Sequence, residues 1–167
     1  MKAHSVAVGL VLALSLTACA SPATPPPAPA PAKPERFLAR QVTASDQCGL
    51  VAPGLVEIAD SATLKKFLSL PAQTLTLPPS ARPDFEQEHL LVVALGQKPT
   101  TGYGVTLEAS ALQGKLLRLD VRVRQPADDQ MTAQVLTTPC MVVAILAQDW
   151  ERIEVHGEGI PMLTRAR

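Results

Sequence analysis

Apolar and polar residues alternate along two neighbouring stretches in the second half of the chain. Residues 117–124 read LRLDVRVR, with an apolar side chain at every second position, and residues 103–108 show the same two-residue period. This period is typical of strands that bury one face and expose the other. Because the turn-forming residues 113–115 lie between these stretches, the pattern predicts an antiparallel hairpin.

Two uninterrupted apolar runs, residues 90–95 and 141–147, are rich in Val and short for helices. We predict that both are central strands covered on both faces. Residues 152–156 alternate again and predict an outer strand. Shorter patterns at residues 56–58 and within residues 37–43 predict two further strands.

Residues 61–70 predict a single helix. Asp60 or Ser61 can cap its first amides, and Pro71 ends it. Three residues at helical spacing form its apolar face: Leu64, Phe67 and Leu68.

The pattern as a whole predicts a mainly β domain of α+β type, a small antiparallel β-sheet or sandwich-like domain with one short helix. The domain is expected to occupy residues 36–167, about 130 residues, a length that suits one hydrophobic core. The sequence has no internal repeat.

The beginning of the chain has the order of a lipoprotein signal. A short polar start is followed by an apolar run over residues 6–16, which is shorter than the roughly 20 residues that span a bilayer. The Leu-Thr-Ala-Cys19 tetrapeptide then resembles the lipobox of bacterial lipoproteins, in which cleavage before the Cys frees it for diacylation. We predict a signal peptide over residues 1–18 and lipidation at Cys19. A conventional signal with an incidental Cys is the alternative.

Residues 19–35 alternate Pro with small residues after the Cys. Such a segment buries little apolar surface and favours extended conformations, so we predict a lipidated Cys and a Pro/Ala-rich tether. A PxxP docking ligand is the alternative. Because Ala20 follows Cys19 where inner-membrane lipoproteins carry Asp, the resemblance implies an outer-membrane lipoprotein of the bacterial cell envelope, facing the periplasm or the cell surface.

Charge and cysteine content limit the classes of function that the chain can have. The sequence has 15 Lys and Arg against 15 Asp and Glu, and cleavage before Cys19 removes Lys2 and leaves 14 against 15. The chain therefore has no excess of positive charge that would attract nucleic acid. Beyond Cys19 the chain has only Cys48 and Cys140. Two cysteines in an oxidising compartment predict a disulfide, with two buried free thiols as the alternative.

Residues for catalysis are scarce. His89 and His156 lie in no metal-ligand spacing, and the sequence has no GxSxG, GxGxxG or Walker motif. Asp128 and Asp129 lie in a turn-forming segment, and Cys140 has no neighbouring His. We therefore predict a protein that is not an enzyme and that uses no cofactor and no metal.

Several segments resemble, in order, the PrcB family. They are Phe85, residues 90–95, the turn 96–103, residues 117–123, Pro126, and residues 134–139 followed by 141–145. The likeness covers about residues 84–145, with weaker agreement back to about residue 42. The family's turn usually reads Thr-Gly-Gly-Tyr, whereas this chain has Thr101 where the first Gly would be. The family groups lipoprotein-like accessory subunits of a surface protease complex, so the resemblance implies a lipid-anchored binding protein with a protein partner such as a protease.

The loop after residues 90–95 is the predicted partner contact, formed by Lys98, Pro99, Thr100, Thr101, Gly102 and Tyr103. We expect an exposed hairpin loop that joins two antiparallel strands. Tyr103 either contacts the partner or begins the inward face of the next strand with Val105 and Leu107.

The same loop also resembles the Asn-Pro-Thr-Thr-Gly-Tyr loop of chagasin-type cysteine protease inhibitors, with Lys98 in place of the Asn. The Gly-rich and Arg-Pro-aromatic loops of those inhibitors have no counterpart in this sequence. A chagasin-like protease inhibitor and a structural envelope lipoprotein are therefore the alternative functions.

The lipobox resemblance leads to a direct test. Cys19→Ala is expected to stop processing or to release the protein from the membrane fraction, because the acylated thiol is lost. Membrane fractionation and intact mass measure the outcome. Unchanged fractionation and mass would contradict lipidation at Cys19.

Overall fold

The computed structural model describes residues 38–79 and 82–167, which form eight strands and one short helix. The predicted signal peptide, Cys19 and the Pro/Ala-rich tether lie outside the described residues. In this part of the chain, no helix combines the length and the apolar character needed to cross a membrane. In chain order the elements are β1 (Ala39–Ser45), β2 (Pro53–Ile58), α1 (Ser61–Leu68), β3 (Glu88–Leu95), β4 (Gly104–Gln113), β5 (Leu116–Arg124), β6 (Cys140–Leu146), β7 (Arg152–Gly157) and β8 (Leu163–Ala166).

The strands form two four-stranded sheets. The first sheet has the order β1-β6-β3-β2 and is antiparallel throughout. The second sheet has the order β4-β5-β7-β8, in which β4 and β5 form the predicted hairpin and β5 pairs with β7 in parallel. A parallel pair requires a crossover connection. The chain supplies it by leaving β5, forming β6 in the first sheet, and returning as β7.

The central strands β3 and β6 explain the uninterrupted apolar runs. They pair antiparallel in the middle of the first sheet, with Val92 opposite Val142. Alternate residues of β3 enter two different cores: Leu91, Val93 and Leu95 lie in the core between the sheets, and Leu90, Val92 and Ala94 lie in the core on the helix side. The prediction of two strands covered on both faces is confirmed.

The core between the sheets contains the inward side chains of the alternating strands. Leu117, Leu119 and Val121 of β5 are buried there, together with Ile153 and Val155 of β7. The intervening Arg and Asp side chains of β5 lie on the opposite face, where they are partly or fully exposed. The architecture is therefore the predicted sandwich-like, mainly β domain.

The helix α1 covers part of the outer face of the first sheet. Asp60 is the N-cap, and its Oδ1 accepts a hydrogen bond from the amide of Thr63 at 2.8 Å. This bond lowers the pKa of the Asp60 carboxyl, because the amide favours the ionised form. Phe67 is buried as predicted, whereas Leu68 is 39% exposed. The helix ends at Leu68, and Leu70 packs against the helix-side core in its place.

The prediction that residues 152–156 form an outer strand is wrong. These residues lie in β7, between β5 and β8, with Ile153 opposite Leu117 and Arg165. The edge position belongs to β8, which has only four residues and little apolar content. Its sequence, LTRA, carries no periodic signal that would mark a strand.

A disulfide joins Cys48 to Cys140, as the sequence predicts. The two Cα atoms are 6.0 Å apart, within the usual range for this bond. Both cysteines are buried in the helix-side core. Because Cys140 is the first residue of β6, the bond attaches the segment after β1 to the start of a central strand.

We expect the double variant Cys48→Ala, Cys140→Ala to lose about 2–5 kcal/mol of unfolding free energy. The reason is that the unfolded chain is no longer closed across a separation of 92 residues. Urea denaturation of the oxidised protein and of the variant measures the difference. Non-reducing peptide mapping of the purified protein identifies the bond, and two alkylatable thiols would contradict it.

Glu57 of β2 connects the two sheets electrostatically. Its Oε2 accepts a hydrogen bond from Nε of Arg165 on β8 at 2.9 Å, and its Oε1 lies 2.8 Å from Nδ1 of His89 on β3. The Glu57 side chain is only 10% exposed. Burial by itself would raise the pKa of Glu57, but the hydrogen bonds and charges of Arg165 and His89 outweigh it and lower the pKa below its ordinary value of 4.5.

This lowered pKa predicts a loss of stability in acid. Ionised Glu57 stabilises the folded state above its unfolded pKa of 4.5, and the contribution is lost as the pH falls through the lower folded pKa. We expect Glu57→Gln to lower the free energy of unfolding by about 1–3 kcal/mol at neutral pH. We also expect the free energy of unfolding to fall less steeply in this variant as the pH is lowered. Urea denaturation between about pH 3 and pH 7 measures both effects. Glu158→Gln, in an exposed turn, is the control, and an equal change in that variant would contradict the role of Glu57.

Candidate functional site

The loop of residues 96–103 connects β3 of the first sheet with β4 of the second. The prediction of a hairpin loop between paired strands is therefore wrong. β3 pairs with β2 on one side and with β6 on the other, so it has no free edge for β4. Of the predicted contact residues, Pro99 is exposed, and the other five are half-buried: Lys98, Thr100, Thr101, Gly102 and Tyr103.

The loop is held by the segment of residues 133–139, which precedes β6. Lys98 and Thr137 exchange two backbone hydrogen bonds, of 2.8 and 3.0 Å. The Thr137 hydroxyl donates to the carbonyl of Thr100 at 2.9 Å. Thr101 donates its amide to the carbonyl of Ala133 and accepts the amide of Ala133 at its hydroxyl, at 3.2 and 3.3 Å. Two chain segments distant in sequence thus fix the path of the loop.

Thr137 and Thr138 are the buried polar residues of this junction. The Thr138 hydroxyl accepts hydrogen bonds from the amides of Cys48 and Gly49, each at 3.0 Å. The Thr138 amide donates to the carbonyl of Asp46 at 2.8 Å. Sequence reasoning included these threonines in the family resemblance but assigned them no role. Their position, as Thr-Thr-Pro directly before an apolar run, was the available signal.

Gly102 gives the loop a conformation that other residues rarely adopt. Its φ is +98°, and a Cβ at this position would lie 3.2 Å from Cβ of Pro126. Both the backbone and the close contact therefore favour Gly. Thr101 is not in the positive-φ region, so a Thr fits where the family's turn has Gly.

Tyr103 lies half-buried at the end of the loop, directly before β4. Nζ of Lys98 lies 5.5 Å from the centroid of its ring, within the range of a cation–π contact. On this strand the core between the sheets begins at Val105, and Tyr103 is not part of it. Tyr103 is therefore partly accessible at the surface.

A cleft of about 730 Å³ opens beside Tyr103. One wall is the end of β1 with Ala44 and Asp46, and the other is the start of β4 from Tyr103 to Thr106. Arg122 and Arg124 of β5 also border it. Val105 and Cys140 lie beneath this lining and are almost fully buried. The size is that of clefts that hold a small molecule or a few residues of a peptide.

Exposed apolar side chains flank the loop. Val135 and Leu136, on the segment that holds the loop, are 53% and 62% exposed. Val51 is 68% exposed, and its carbonyl accepts a hydrogen bond from the amide of Gln97 at 3.0 Å. Exposed apolar groups gathered in one region mark interaction surfaces more often than scattered ones do.

The other candidate residues lie elsewhere. His89 contacts Glu57, and Nε2 of His156 is 3.3 Å from Oε2 of Glu154, and neither histidine lines the cleft. Asp128 and Asp129 are exposed in the connection after β5. Over residues 38–79 and 82–167, no three His, Cys, Asp or Glu side chains are grouped so that they could hold a metal ion.

Comparison with known families adds one finding. Residues 90–145 match the family model described as PrcB C-terminal, a range that runs from β3 through the loop and the β4–β5 hairpin into β6. No curated protein and no solved structure matches the chain. The family match confirms, over residues 90–145, the resemblance to the PrcB family in the sequence.

Proposed function

We propose that the protein is a non-catalytic, lipid-anchored binding protein of the bacterial cell envelope, an accessory subunit or partner of a protease complex. The family match over residues 90–145 supports a role connected with such a complex. The contact surface consists of the loop from Lys98 to Tyr103 together with the adjacent Val135 and Leu136.

The observation that carries this proposal is the way the loop is held. Its backbone and threonine groups bond to residues 133–137, while Pro99 stays exposed and Tyr103 stays partly accessible. A loop fixed in this way loses little conformational entropy on binding. A Tyr at its end offers a large contact area with a polar tip.

The envelope location has separate support. The Leu-Thr-Ala-Cys19 sequence follows an apolar run of signal-peptide length. A disulfide such as Cys48–Cys140 persists in oxidising compartments, which include the periplasm and the cell surface.

A chagasin-like inhibitor is the second candidate. The Pro-Thr-Thr-Gly-Tyr sequence lies at one end of a two-sheet sandwich, with Pro99 exposed, so the loop could enter a protease cleft. Inhibition of a cysteine protease that depends on Thr101 and Tyr103 would select this function over an accessory role.

The test of the proposed surface is a triple substitution of Thr100, Thr101 and Tyr103 by Ala. We expect it to weaken association with the envelope partner by about tenfold or more, because the contact loses its aromatic anchor and the loop loses the Thr101 hydroxyl that bonds to Ala133. Affinity capture from detergent-solubilised envelope, followed by mass spectrometry, identifies the partner, and titration with that partner measures the affinity.

Two variants complete the design. Thr164→Ala changes an exposed Thr on β8, at the other edge of the second sheet from β4, and should leave capture unchanged. Tyr103→Phe retains the ring and reports on the hydroxyl alone. A triple variant that unfolds at the wild-type temperature and still captures the partner would refute the proposed surface.

A further inference from the structure

The two edge strands on one side of the sandwich border the same cleft. β1 is at the edge of the first sheet and β4 is at the edge of the second. The amide of Leu107 on β4 donates a hydrogen bond to Oε1 of Gln41 on β1 at 2.9 Å. The cleft lies toward the end of β1 and the start of β4, where Ala44 and Asp46 are exposed.

Arginines on the outward face of β5 differ in their partners. Nε of Arg118 lies 3.0 Å from Oδ1 of Asp120, and Arg122 forms an ion pair with Glu108 of β4. Arg124 is the next outward residue of the strand and is exposed. In the described part of the chain, it has no carboxylate within ion-pair distance.

The guanidinium of Arg124 is placed at the rim of the cleft. Gly104 of β4 lies opposite Arg124 in the sheet, and a Cβ on Gly104 would lie 3.3 Å from Nη2 of Arg124. Because Gly104 has no side chain, the guanidinium can lie across β4 and reach the edge next to Tyr103. Lys98 adds a second cation beside the Tyr103 ring.

The other residues that line the cleft favour a peptide ligand over a small anion. Asp46 on the opposite wall carries a negative charge, which would repel a ligand that is anionic along its whole length. Exposed Ala44 and half-buried Tyr103 in the lining offer apolar surface to a ligand side chain. Edge strands commonly bind extended segments through backbone groups, while side chains set the specificity.

We propose that this cleft binds an extended segment of a protein partner through a carboxylate side chain, Asp or Glu, that pairs with Arg124. The proposal rests on the proposed function, because it assumes that the partner is a protein. It adds that the contact lies in the cleft between β1 and β4 and that the bound segment must carry a carboxylate. Arginine suits this role, since its planar fork of donors matches a carboxylate in two parallel hydrogen bonds.

The experiment uses the full chain in detergent micelles and an array of random peptides of about ten residues. We expect the tightest binders of the wild type to carry Asp or Glu at one recurring position. Arg124→Gln should weaken these binders about tenfold, the effect of losing one charge-assisted pair. Arg124→Glu should replace the acidic preference by Lys or Arg at the same position.

Arg118→Gln is the matched control, because it removes the same charge from the same face of β5 at the other end of the strand. It should leave the selected peptides and their affinities unchanged. Selection without an acidic preference, or an equal loss in Arg118→Gln and Arg124→Gln, would overturn the proposal.

The loop variants separate the two proposals. If Thr100, Thr101 and Tyr103 are needed for partner capture but Arg124→Gln captures normally and selects the same peptides, the proposed function stands and the carboxylate contact is refuted. If neither the loop variant nor Arg124→Gln changes capture, both proposals fail.

Discussion

The antiparallel pairing of β3 with β6 is the constraint on which the rest of the structure depends. Each strand is apolar on both faces, so one face must be covered by the second sheet and the other by α1 and its flanking segments. Because β2 and β6 occupy both sides of β3, β4 cannot pair with β3. After β3 the chain crosses to the second sheet, where β4 pairs with β5. That crossing creates the candidate loop and places it at one end of the sandwich.

The junction around Thr137 and Thr138 gives this crossing a defined shape. These buried threonines supply hydrogen-bond partners to the loop at Thr100 and to the segment at Cys48 and Gly49. Buried backbone amides need such partners, since an unsatisfied one costs about 1–3 kcal/mol. The disulfide lies in the same region and adds a covalent link between the segment after β1 and the start of β6. The surface that presents Pro99 and Tyr103 is thus supported by a disulfide and by hydrogen bonds between segments that are distant in sequence.

Charged side chains serve two different purposes on the two sides of the molecule. At the β2–β8 edge, Glu57 is nearly buried and is satisfied by Arg165 and His89, so its charge is used within the fold. At the β1–β4 edge, Arg124 and Asp46 are exposed on opposite walls of an open cleft. Charges of the first kind stabilise the association of the sheets, whereas charges of the second kind are available to a partner. The two edges therefore differ in whether their charged side chains are paired within the fold or exposed at the surface.

The sequence by itself determined the elements whose burial depends on local pattern: the alternating β4–β5 hairpin, the two apolar central strands and the capped helix after Asp60. It also indicated the resemblance to the PrcB family and the pairing of the only two cysteines after Cys19. Tertiary structure alone decided which of the other strands are neighbours, because hydrogen bonding between strands leaves no periodic mark on either strand. Three features were decided in this way: the parallel β5–β7 pair, the short edge strand β8, and the crossing of the loop between the sheets. Only the tertiary structure shows that Arg124 lies over Gly104, because this contact joins two strands and leaves no signal in the local sequence of either residue.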